Sequence, residues 1–92
     1  MSEGDEEPVE IPITGELDLH AFAPRDVPAV VEEYVEACRE RGLSRLRLVH
    51  GRGAGVQRAE VRRVLGRLPG IRSFSDAPPE SGGWGATIVV LE

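Results

Sequence analysis

The chain has 92 residues, 40% of them hydrophobic, with a net charge of −5 and one cysteine, Cys38. That suffices for one small domain near the lower size of a self-sufficient core, and it excludes a disulfide framework. No apolar run approaches a membrane span and the start is acidic, unlike a secretory leader, so the expected compartment is the reducing cytoplasm, with no membrane partner.

The acidic total hides an asymmetry. Residues 1–18 hold seven acids and no base, whereas residues 39–72 hold ten arginines against Glu40 and Glu60, and there is no lysine anywhere. A basic block of this kind points to an anionic partner. Residues 1–12, acidic and without periodicity around Pro8 and Pro12, read as a flexible arm. Residues 13–92 are left as one domain, with no internal repeat.

In chain order, "ELDLHAF" alternates Leu17 and Leu19 with Asp18 and His20, the period of a strand with one buried face. In "APRDVPAVVEEYVEACRERG", Val27, Val30, Val31, Tyr34, Val35 and Cys38 fall on one helical face. Asp26 is placed to cap that helix, Pro28 is tolerated in its first turn, and Gly42 ends it. Cys38 is then a buried core thiol. "RLRLVH" is a second strand and "GRGAGVQ" a turn. "RAEVRRVLGRL" is a second helix with Val61, Val64, Leu65 and Leu68 inward, ended by Pro69-Gly70. "IRSFSD" is a third strand, "APPESGGWG" a loop, and "ATIVVL" an apolar last strand. The order βαβαββ, with right-handed crossovers, predicts an α/β two-layer sandwich: a mixed four-stranded sheet with both helices on one face.

Ligands of such sheets bind beyond the carboxyl ends of parallel strands. The first strand delivers Asp18 and His20 there; the second delivers His50 and the glycine turn. Gly51, Gly53 and Gly55 permit positive φ and close backbone approach. The turn enters a helix, so free N–H groups and the positive dipole end converge on it, and Arg52 and Arg58 add guanidinium groups suited to phosphate. The spacing G-x-G-x-G lacks the third glycine of a dinucleotide fingerprint, and without lysine a Walker A loop is excluded. Asp18 and His20 together suit general acid–base attack on a phosphodiester. A strand-end histidine that only caps the backbone is the plainer alternative. A metal site of His20, His50 and Asp18 is a further one, and Glu16, Asp18 and Asp76 are a thin carboxylate supply for a two-metal site holding Mg2+ or Mn2+. Trp84, in "SGGWG", either stacks a base or plugs the end of the core.

Three motifs in order, "LDLH", "HGRGAG" and "GGWGAT", resemble the Smr domain, the small MutS-related family. The resemblance spans about Ile13 to Leu91. It implies a fold like the C-terminal domain of a bacterial initiation factor, and nucleic-acid binding with nicking or endonuclease activity in several members, acting with repair proteins or on messenger RNA at ribosomes. It places the family's D-x-H motif on Asp18 and His20. The glycine turn falls on His50, Gly51, Gly53 and Gly55 with Arg52, and the post-turn arginine on Arg58. Ala21 and Gln57 depart from the glycine and leucine common in the family. The resemblance implies a single-domain member, without an ATPase or clamp domain. Two functions follow as expectations: an endonuclease with Asp18, His20 and His50 catalytic, needing no certain cofactor, or a non-catalytic module for structured nucleic acid or the ribosome.

Overall fold

The computed structural model describes residues 12–51, 53 and 55–92. The acidic arm read at 1–12 lies outside them, apart from an exposed Pro12. Four strands, β1 (Glu16–Asp18), β2 (Arg45–Val49), β3 (Ile71–Asp76) and β4 (Ala86–Leu91), form one sheet in the order β1-β2-β4-β3. β1 and β2 are parallel, and β4 runs antiparallel to both of its neighbours. The sheet is mixed, as the element order predicts. The second crossover does not return beside β2, because β4, the most apolar strand, takes the centre between β2 and β3.

Helices α1 (Val27–Glu40) and α2 (Val56–Leu65) pack against each other and the same side of the sheet. Val27, Val31, Tyr34, Val35 and Cys38 of α1 meet Val61, Val64 and Leu65 of α2 over Leu17, Leu46, Leu48, Val89 and Leu91 of the sheet. Burial of this apolar surface is the main driving force for folding. The stripe read from the helical period is therefore the core, with Cys38 fully buried in it and its thiol pKa raised by that burial. The Tyr34 hydroxyl donates to the Glu16 carbonyl at 3.1 Å and accepts from the Gly15 N–H at 3.0 Å, tying β1 to α1.

Several boundaries differ from the sequence reading. β1 stops at Asp18, because Asp18 Oδ1 accepts the His20 backbone N–H at 2.9 Å and turns the chain into a one-turn 3-10 helix over Leu19–Ala21. Asp26 precedes α1 but makes no capping hydrogen bond; a 3-10 turn over Pro24–Asp26 leads in instead. The end of α1 follows expectation. Gly42 adopts φ 78°, with Leu43 N–H on the Cys38 carbonyl and Gly42 N–H on that of Arg39, the pairing of a Schellman stop. α2 starts two residues earlier than read and ends at Leu65, before Pro69-Gly70. Leu68 still packs on the core from beyond the helix.

Candidate functional site

The carboxyl ends of β1 and β2 lie side by side, with Asp18 paired to Val49 across the parallel ladder. The turns that follow are thus at one rim. After β1, the His20 ring folds back so that Nδ1 lies 2.8 Å from Asp18 Oδ1, in addition to the backbone bond. Both side chains remain largely open to solvent, at 60% for His20 and 64% for Asp18. The His20 backbone N–H, aided by the ring, holds the Asp18 carboxyl below its ordinary range. An ionised Asp18 requires a proton on the facing nitrogen, so Nδ1 donates, and in the neutral form of the ring the lone pair is on Nε2.

That Nε2 lies against the glycine turn. Gly51 has φ 79°, and a Cβ on it would fall 2.6 Å from His20 Nε2. Glycine is required there twice, for its backbone angle and for the close approach of the ring. Gly53 and Gly55 also have positive φ, at 38° and 83°. Gly55 is the residue before α2 and provides no side-chain cap, so no side chain occupies the helix's positive end from that position. Arg52 lies outside the described residues.

His50 is held quite differently. It is buried, on the helix side of the sheet, with Nδ1 3.1 Å from the Gly51 carbonyl and Nε2 2.8 Å from Thr87 Oγ1. Burial lowers its pKa, only partly offset by the Gly51 carbonyl. The ring is therefore neutral near pH 7: Nδ1–H donates to the carbonyl and Nε2 accepts from the hydroxyl. The sequence reading placed His50 beside Asp18 and His20 as a third reacting group. The structure brings it to the same rim but occupies both its nitrogens with the protein.

The "GGWGAT" segment closes the site from the third side. The Gly85 carbonyl accepts the N–H groups of both His50 and Gly51, at 3.0 and 2.8 Å. Trp84 is 41% exposed and its ring lies 3.8 Å from where a Gly55 Cβ would stand, so it borders the turn and does not plug the core. Thr87 and Gly85 are the members that residue-by-residue reading missed. The one available signal was a polar residue within the otherwise apolar "ATIVVL", where Thr87 faces the core opposite Leu48.

Arg58, in the first turns of α2, spans Asp76 at the end of β3 with Nε on Oδ1 at 2.9 Å and Nη2 on Oδ2 at 3.0 Å. Its Nη1 takes no part in these bonds. Arg62 approaches the same carboxylate at 3.6 Å and lies over the Phe74 ring. Glu16 pairs with Arg47. Of the three carboxylates weighed as metal ligands, two thus face arginines and Asp18 faces His20. Among the described residues no three His, Cys, Asp or Glu side chains gather as a metal site would need. No helix among them is long and apolar enough to cross a membrane.

A two-layer α/β sandwich that sets a carboxylate–imidazole pair over a glycine turn, closed by a second glycine-rich loop, is the class this geometry defines. The Smr domain model matches residues 17–92, and the chain belongs to that family. It is 42% identical over 76 residues to endonuclease MutS2 of Thermus thermophilus, covering 83% of this chain and 10% of that protein. The same identity and coverage hold for endonuclease MutS2 of Solidesulfovibrio magneticus. The chain thus spans about a tenth of the length of these relatives. The crystal structure of the Smr domain of Thermus thermophilus MutS2 superposes with a TM-score of 0.81 at 40% identity, covering 86% of this chain and 99% of that one. YdaL, a stand-alone small MutS-related protein from Escherichia coli, shares the fold with a TM-score of 0.80 at 24% identity, covering 88% of this chain and 66% of its own.

Proposed function

We propose that the domain is an endonuclease that cuts a nucleic-acid backbone at this rim. One observation carries the reading: His20 has Nδ1 committed to Asp18 and, among the described residues, no hydrogen-bond partner on Nε2, which packs against the backbone of the glycine turn. A phosphate on the turn amides and the start of α2 would sit beside that lone pair. His20 is then the general base, removing a proton from water or a ribose 2′-hydroxyl, and Asp18 holds the ring and stabilises the imidazolium. The turn amides and the remaining donors of Arg58, with Arg52, stabilise the charge that develops on phosphate oxygen. His50 acts as a positioning residue, since its neutral ring and both its hydrogen bonds keep Gly51 and Thr87 in place. Trp84, exposed at the border of the turn, is a platform for a base. The names of the MutS2 relatives agree with this reading.

The test is a cleavage assay. End-labelled single-stranded RNA, duplex DNA and branched DNA are incubated with the wild type and with His20→Ala, in magnesium or manganese and in chelator. Product from the wild type, lowered about a hundredfold or more in the variant, is the result expected when a general base is removed. The chelator lanes decide the need for a divalent ion, and RNA-only product identifies the 2′-hydroxyl as nucleophile. Equal background from both proteins contradicts the reading. Salt-sensitive binding without cleavage would then favour a non-catalytic module, for nucleic acid presented by a ribosome or a repair protein.

A further inference from the structure

A cavity of about 280 Å³ opens between the turn that follows β1 and the first turns of α2, lined by Pro24, Arg25, Val27, Val56, Gln57 and Glu60. Both segments leave the carboxyl ends of the parallel strands, so the cavity belongs to the same rim as His20 and the glycine turn. Val56 directly follows Gly55 and is 74% exposed, which places an apolar side chain at the mouth of the cavity beside the turn. The fully buried Val27 forms part of the lining. The lining is mainly apolar but carries a guanidinium, a carboxylate and an amide. Gln57 Oε1 is buried with no hydrogen-bond partner among the described residues. A buried acceptor left unpaired is unfavourable, so the side chain gains by turning its amide to a ligand in the cavity.

We infer that this cavity is a nucleobase subsite, taking one unpaired base from the strand whose phosphate lies on the glycine turn. The inference rests on the phosphate reading above and adds the substrate class to it. Apolar walls suit the faces of a heterocycle. The Gln57 amide offers a donor and an acceptor side by side, the set that matches a base edge, adenine's above all. A base already paired in a duplex must unpair and leave the stack before it can enter. The favoured substrate is therefore a single strand or an extruded nucleotide.

The experiment is a backbone-amide NMR titration of the full chain at low salt with two probes, inorganic phosphate and each of the four nucleoside 5′-monophosphates. Phosphate should shift the amides of Gly51, Gly53 and Gly55. At least one monophosphate should shift these and also Val27, Val56, Gln57 and Glu60, binding about tenfold tighter than phosphate, in line with roughly 1–3 kcal/mol for contacts to one base. Gln57→Ala should remove most of that difference. If every monophosphate perturbs the turn alone, with the affinity of phosphate, the subsite is overturned and the phosphate reading stands. If a monophosphate shifts the cavity residues while phosphate leaves the turn unmoved, the subsite stands without its neighbour. If neither probe shifts either set, both fall.

Discussion

The two histidines of this rim live in opposite surroundings. His20 is exposed, bonded on one side to Asp18, with no hydrogen-bond partner on the other among the described residues. His50 is buried, with a carbonyl on one nitrogen and a hydroxyl on the other. A ring with a free lone pair can move a proton; a ring whose two nitrogens are both engaged can only hold its neighbours in place. In the proposed reaction the same residue type therefore does chemistry after β1 and architecture after β2, and the distinction comes from burial and partners.

Four substitutions and one pH change sharpen or break that contrast. His20→Ala has the largest expected effect, a loss of about 10²–10⁴ in cleavage with little change in melting temperature, because the exposed ring adds little to the core. His50→Ala should act the other way. It leaves the Thr87 hydroxyl and the Gly51 carbonyl without a partner and opens a cavity, costing about 2–4 kcal/mol by denaturant unfolding. Gly51→Ala places a side chain in the left-handed region and into the His20 ring. It should cost about 1–2 kcal/mol in stability and lower cleavage as well, through the displaced ring. Thr87→Val removes only the hydroxyl that His50 Nε2 uses, and should cost about 1 kcal/mol.

The pH effect is the mildest. His50 has a lowered pKa in the fold, so its contribution to stability is complete above the unfolded histidine value of about 6.5 and is lost as pH falls below it. Melting temperatures of the wild type should therefore drop between pH 7.5 and pH 5 by more than those of His50→Ala. Asp18 follows the same sign at more acidic pH, where its carboxylate protonates.

Much of this could be read from the residues, and the exceptions have physical causes. Period and turn chemistry sufficed for both helices, all four strands and the meeting of the two histidine turns at one rim. The helical stripe from Val27 to Cys38 admits one inward face, and three glycines at alternate positions between a strand and a helix admit few conformations. The end of β1 was misread because alternation does not reveal that Asp18 bonds the His20 N–H and breaks the strand. The place of β4 between β2 and β3 was open because antiparallel pairing of the last strand is a matter of competing partners, and its uniformly apolar sequence says only that it is central. The surroundings of His50 depended on Thr87, which is 37 residues away in the chain. Arg58 likewise looked free for a ligand until β3 brought Asp76 against it.

The most direct test of the division between the two histidines measures His20→Ala and His50→Ala side by side, for cleavage of the best substrate and for thermal unfolding. The account predicts that His20→Ala melts like the wild type and yields almost no product, while His50→Ala melts several degrees lower and keeps a measurable part of its cleavage, reduced by the loosened glycine turn. A His50→Ala protein that melts like the wild type but has lost all cleavage would put the chemistry on His50 and contradict the account.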